Sequence, residues 1–205
     1  MEFYDVISKR RTVREFSSQS VPEDKILKIL DAGIEAPTYN HLREWDFIFI
    51  NKESVRFNII EAERIPDSYQ LEELKKSFEG YDADAKEMYV DALSRQKRMI
   101  LTAPEVLIVV YKPKTQIAES KRVYDLNCLA SIWCCIENIL LAMAEEDLFG
   151  VTYVPKDTDK LKTILGIPPE LEIASIIPFG YKSDSARILK QKEITLHDKI
   201  HYNGW

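Results

Sequence analysis

The chain has 205 residues, 45% of them hydrophobic and 30% charged, with a formal net charge of −6 at pH 7. That length suits one domain over 1–205, and the acidic balance argues against a nucleic-acid coat or a polybasic membrane module. No run of about 18 apolar residues predicts a membrane span, and Met-Glu-Phe-Tyr-Asp lacks the basic and apolar regions of a secretory leader.

In chain order, Phe3 to Lys9 reads as a short helix that delivers Arg10-Arg11-Thr12-Val13-Arg14-Glu15-Phe16. Ser20-Val21-Pro22-Glu23 predicts a helix start, with Ser20 as N-cap, Pro22 in the first turn and Glu23 closing a capping box. Ile26, Ile29, Leu30 and Ile34 mark its apolar face. Pro37 pushes the residue before it out of helical geometry, so this helix should end near Ala36. A loop over 37–44 follows, then a β-rich run over 45–51, where Trp45 is read as core packing. Residues 53–64 read as a helix. Residues 66–98 are polar and carry Tyr69, Phe78, Tyr81 and Tyr89. They read as a helical excursion, either a solvated pair or a lid whose aromatics select flat substrates. Pro104 opens an apolar run over 106–111, suited to a strand buried on both faces.

Residues 125–149 form one long predicted helix, apolar nearly all round and ended by Gly150. Cys128, Cys134 and Cys135 lie on it and read as small core residues, reduced in a cytoplasmic protein. His41, His197 and His201 are distant in sequence, so no metal site is expected. Residues 151–154 read as a second short strand, 161–165 as a helix closed by Gly166, and 173–181 as another strand. A polar segment over 182–193 carries Arg187, Lys190 and Lys192, and 194–205 is a C-terminal arm ending His201-Tyr202-Asn203-Gly204-Trp205. Strands and helices mix without a βαβ rhythm, which predicts an α+β fold with a central sheet flanked by helices.

Three arginines within five residues repel one another, and an anion offsets that cost. Their planar forks match phosphate or carboxylate, and Thr12 adds a hydroxyl donor. The same residues also suit a solvated basic face at a helix end. There is no phosphate loop, no G-x-G-x-x-G after a strand, no G-x-S-x-G and no H-E-x-x-H. The carboxylates are scattered, so paired-carboxylate chemistry has no support. What remains is an anion site suited to a flat apolar ligand with one phosphate.

At these residues the chain resembles the FMN-dependent nitroreductase family. The segment 10–16 is similar to its R-R-S/T-x-R-x-F opening. Ala36-Pro37-Thr38 with Trp45-Asp46-Phe47-Ile48 resembles A-P-S…P-W-x-F-I. Gly150 to Pro155 resembles the segment beside the flavin, and Phe179-Gly180-Tyr181 with Lys190-Gln191-Lys192 resembles the terminal strand and basic pair. The resemblance implies that Arg10, Arg11, Thr12 and Arg14 bind the phosphate and ribityl of FMN, with Lys190 and Lys192 closing from the far end of the chain. It implies that Pro37, Thr38, Tyr39 and His41 cover the ring edge from a partner subunit. Val154, Pro155, Lys156 and Asp157, through Thr158, would pass the reactive nitrogen with a backbone N–H.

The family's Asn-x-Gln-Pro-Trp reads His41-Leu42-Arg43-Glu44-Trp45 here, so His41 is either a ligand-facing group or a loop residue bonded to backbone. Arg95, Lys97 and Arg98 are further candidates for charge near the flavin. The implied activity is transfer of a hydride from NAD(P)H through FMN to a nitroaromatic, quinone or similar small-molecule acceptor, by a ping-pong mechanism. No catalytic side chain is expected, since the flavin carries the chemistry. The alternatives keep the fold and change the flavin chemistry, toward flavin fragmentation or reductive dehalogenation, or give a non-catalytic flavin-binding module. The apolar 125–149 helix and the aromatic tail predict a homodimer that buries this helix at its interface.

Overall fold

The computed structural model describes residues 2–205. Its helices are α1 (Phe3–Lys9), α2 (Glu23–Ile34), α3 (Glu53–Ala62), α4 (Leu71–Ser77), α5 (Ala83–Thr102), α6 (Asn127–Glu145) and α7 (Thr158–Leu165). The strands are β1 (Trp45–Phe49), β2 (Glu105–Tyr111), β3 (Leu148–Gly150) and β4 (Glu172–Tyr181). They form one antiparallel sheet in the order β1-β2-β4-β3. The fold is α+β, as the mixed pattern predicts.

Strand β2 shows why the sheet is covered on both faces. Its side chains alternate between two cores. Val106, Ile108 and Val110 join the cluster built with Ile59, Ile60, Met99, Ile100 and Leu161 from α3, α5 and α7. Leu107, Val109 and Tyr111 join the cluster built with Ile29, Ile132, Ile136, Ile139 and Met143 from α2 and α6. Trp45 packs against this second cluster, as expected. On α2, Gly33 faces α6: a Cβ there would stand 2.7 Å from Ile139 Cγ1 and 3.2 Å from Cys135 Sγ. The two helices meet at a distance that only glycine permits.

Several boundaries differ from the sequence expectation. Helix α2 is not capped by Ser20. Pro22 is the N-cap, extended at φ −62° and ψ 141°, with no side-chain cap. Val21 and Ile26 flank this cap at the positions of a hydrophobic staple and enter one core cluster, so burial sets the entry in place of a hydroxyl. The long helix starts at Asn127, after a 3₁₀ turn over Val123–Leu126, and stops at Glu145 rather than Phe149. Glu145, Glu146 and Asp147 place negative charge at the negative end of a helix dipole. Lys25 and Lys28 take up Glu146, Lys9 takes up Asp147, and Asp147 turns the chain at φ 61°. Leu148 to Gly150 is therefore strand β3, not helix end. Residues 151–154 are not a strand; only Tyr153 bridges to β4, at Ile176.

By length and composition Val123–Glu145 would suffice to cross a membrane, contrary to the expectation of no such run. Its Ile132, Cys135, Ile136, Ile139 and Met143 are core residues, while Ala130, Cys134 and Glu137 lie exposed on its outer face.

Arg56, on α3, is 7% exposed. Its guanidinium donates to the carbonyls of Ile50 (3.0 Å), Leu101 (3.2 Å), Ala103 (2.6 Å) and Pro104 (3.3 Å). It gathers carbonyls around the end of α5, where helical carbonyls lack partners.

Candidate functional site

Beyond α1 the basic segment runs extended along β3. Val13 is fully buried, and its N–H donates to the Gly150 carbonyl at 3.3 Å. With Val13 turned inward, Thr12 is left exposed on the outer side. Arg10, Arg11 and Thr12 line a cleft of about 270 Å³, with Trp133, Glu137 and Leu140 of α6 and Phe149 to Thr152 as further walls. Arg11 and Thr12 also line a second cleft of about 380 Å³, closed by Arg14, the start of α5 and Leu189 to Lys192. The two ends of the chain thus meet here, and Arg11 donates directly to the Leu189 carbonyl.

The basic residues are not equivalent. Arg10 lies 3.8 Å from the Glu137 carboxylate. Lys190 pairs with Glu193 at 2.7 Å and Lys192 with Asp82 at 3.5 Å, and both lysines are largely exposed. Asp82 caps α5 by accepting from Ala85 N–H, which holds its carboxyl below the ordinary range. Arg14 differs: its guanidinium is largely buried and bonded at 3.1 Å to Asp91 of α5, itself buried. Burial pulls the Arg14 pKa down, and Asp91 opposes that pull. Asp91 also binds Arg95, and Glu15 lies near Arg95 and Arg98. Arg14, Arg95 and Arg98 are thus engaged in a network tying the basic segment to α5. Lys97 pairs with Asp67.

The loop residues Pro37, Thr38, Tyr39 and His41 are elsewhere. Tyr39–His41 is a 3₁₀ turn with positive φ at Asn40 and His41, seated on the first turns of α6, where Tyr39 N–H donates to Ser131 Oγ at 2.8 Å. Glu137, opposite Arg10, is six residues further along α6, about 9 Å down its axis. Within one protomer this loop does not reach the arginine cleft. The Tyr39 and Tyr124 hydroxyls share a 2.5 Å hydrogen bond, and Lys114 Nζ sits 3.9 Å from the Tyr124 ring centre. The hydroxyl bond and the lysine pull the Tyr124 pKa down. His41 is exposed.

In the 154–157 stretch, Val154 is exposed and Pro155 buried. The N–H groups of Lys156 and Asp157 donate to buried Glu63 at 2.8 and 3.1 Å, and the Tyr153 hydroxyl donates to the same carboxylate. Glu63 carries no sequence signal, since its partners lie some 90 residues away, and for Asp91 only the pair with Arg95 is local, while Arg14 lies 77 positions off. In the 66–98 excursion, Phe78 stacks on Tyr89 at 4.8 Å and Tyr81 lies edge-on to both, so these rings pack on one another. On the C-terminal arm Ile194, Leu196, Tyr202 and Trp205 are exposed.

The donor set at the first two clefts suits a phosphoester: the planar forks of Arg10 and Arg11, the Thr12 hydroxyl and two largely exposed ammonium groups, beside an apolar wall.

The model of the Nitroreductase family matches residues 7–181 of this chain. Iodotyrosine deiodinase 1 of Rattus norvegicus is 30% identical over 199 residues, which is 95% of this chain and 67% of the rat protein. The iodotyrosine deiodinase of Thermotoga neapolitana is 25% identical over 200 residues, 98% of this chain and 97% of that protein. Among solved structures, an oxidized iodotyrosine deiodinase bound to FMN and 3-iodo-L-tyrosine covers the whole of both chains with a TM-score of 0.75 at 24% identity. A nitroreductase family protein from Clostridium novyi NT gives a TM-score of 0.67 at 23% identity, covering 90% of this chain and 87% of its own.

Proposed function

This chain belongs to the Nitroreductase family, and on that premise we propose that it is an FMN-dependent reductase that removes a halogen from a phenolic ring. The observation that carries the reading is the meeting of Arg11 and Thr12 with Lys190 and Lys192, beside the cleft that Arg10 lines, in a chain 30% identical over 95% of its length to an iodotyrosine deiodinase. Arg11 and Thr12 would hold the phosphate, with Arg10 at its edge. Lys190 and Lys192 would exchange Glu193 and Asp82 for it. Arg14 would act at one remove, by keeping the segment docked on Asp91. When bound, FMN supplies the electron transfer. The free N–H groups of Thr152 and Val154 would offer hydrogen bonds to its ring.

The chain would act as a homodimer. Pro37, Thr38, Tyr39 and His41 would then serve the cleft of the partner subunit, covering the outer face of α6 while the apolar arm packs across. Three free cysteines fit a reducing compartment such as a cytoplasm.

The family match supports a second reading, in which NAD(P)H reduces the flavin and a nitroaromatic or quinone reoxidises it. Purified protein titrated with FMN, reduced with dithionite or with NAD(P)H, then mixed with 3-iodotyrosine or a nitroaromatic, separates the two. Iodide release coupled to flavin reoxidation supports dehalogenation. Reduction by NAD(P)H and reoxidation by the nitroaromatic alone support the second reading. No FMN binding refutes both.

A further inference from the structure

Glu63 is 6% exposed and has no cation beside it among the described residues. A buried carboxylate without compensation is costly. Here three donors compensate it: the Tyr153 hydroxyl and the N–H groups of Lys156 and Asp157. The Tyr153 phenol stays protonated to serve as one of them, since burial first and Glu63 second push its pKa up.

The segment leading to these donors is strapped along its other edge. Val151 N–H donates to the Pro178 carbonyl at 3.3 Å, and Tyr153 and Ile176 exchange two hydrogen bonds of 2.8 Å. In extended chain the alternate residues face the other way. Those are Thr152, which lines the Arg10–Thr12 cleft, and Val154, which is 56% exposed. No backbone acceptor is found for either N–H among the described residues, and Pro155 has no N–H to offer. One edge of the segment is therefore fixed by β4, its far end by Glu63, and its free edge carries two unused donors.

We propose that Glu63 is a positioning residue: by fastening Tyr153, Lys156 and Asp157 it holds 152–154 so that the free N–H groups of Thr152 and Val154 are presented to a flavin in the adjoining cleft. The inference rests on the FMN reading above. Glu63 does not line the cleft and acts only through this segment.

The test compares wild type, Glu63→Gln, Glu63→Asp and Tyr153→Phe for FMN affinity by fluorescence quenching, for the visible spectrum of the bound flavin, and for urea stability without FMN. Glutamine keeps the shape but turns an N–H₂ toward donors. It is expected to weaken FMN about tenfold or more and to shift the bound-flavin bands. Tyr153→Phe keeps both backbone ties and is expected to retain the wild-type spectrum. Should Glu63→Gln not fold, Glu63→Asp carries the same expectation, since a shorter carboxylate cannot hold all three donors. Glu63 variants that lose stability but bind FMN with wild-type affinity and spectrum overturn the proposal and leave the FMN reading standing. A wild type that binds no FMN overturns both.

Discussion

Replacing Arg56 by Met keeps the aliphatic stem in the core and removes the guanidinium. Four carbonyls, those of Ile50, Leu101, Ala103 and Pro104, then lose donors at 2.6–3.3 Å. Three of the four cluster where α5 ends and β2 begins, so no helical N–H can replace the guanidinium. A hydrogen bond to a charged donor contributes about 1.5–3 kcal/mol, and each buried acceptor left bare costs about 1–3 kcal/mol. The four share one side chain whose own burial was costly, since desolvation already pulls the Arg56 pKa down. The sum therefore falls short of four independent bonds. About 3–5 kcal/mol is expected, a large part of the roughly 5–15 kcal/mol that holds a domain folded. Arg56→Lys keeps the charge without the fork and should cost about half as much. Urea unfolding of the FMN-free protein, followed by tryptophan fluorescence at constant slope, measures both. A loss below about 0.5 kcal/mol for Arg56→Met would show that the carbonyls find water or other donors, and would refute the clamp.

Arg11→Ala with Lys190→Ala should weaken FMN by roughly two to four decades if the losses add, with little change in unfolding midpoint; an unchanged titration contradicts the phosphate assignment. Lys28 first, then Lys25, hold the Glu146 carboxyl below its ordinary 4.5. A depressed carboxylate stabilises above its unfolded value and loses that contribution as pH falls through the folded one. Glu146→Gln should therefore cost about 0.5–1 kcal/mol at neutral pH, with the gap closing in acid; a gap that stays constant in acid counts against the pairs. Light scattering at micromolar concentration should give a dimer of the 23.8 kDa chain with an interface above about 2,000 Å², and deleting residues 196–205 should loosen it. Cys134, exposed in one protomer, should then resist thiol reagents. Cys135, whose thiol burial pushes up to about 12, should resist them in either state.

Where one period dominates, the chain could be read directly. The unbroken run over β2 predicts a doubly covered strand, and the spacing of Ile26, Ile29 and Leu30 predicts the buried side of α2. Local pattern misleads where tertiary charge opposes it. Leu148 and Phe149 continue the apolar run of α6, and only Lys9, Lys25 and Lys28 folding onto Glu146 and Asp147 explain the stop. Ser20 stands at the capping-box spacing from Glu23, yet burial of Val21 decides the entry. At the site, the arginine cluster was legible as a donor set. Which arginine is tied up by a buried carboxylate was not, because Asp91 lies 77 positions from Arg14. Glu63 was silent for the same reason: its partners are some 90 residues on.

Gly33 acts at a distance from itself. With no room for a methyl group against Ile139 and Cys135, the last turn of α2 rests directly on α6. Only Glu35 and Ala36 separate that helix from Pro37, so the height at which Tyr39 meets Ser131 is set by an atom that is absent. Any larger residue at position 33 would work as a shim under one end of a beam. The thickness added there would emerge as a lift of the 39–41 turn, away from the hydroxyl of Ser131 and from the ring of Tyr124 with the Lys114 ammonium beside it.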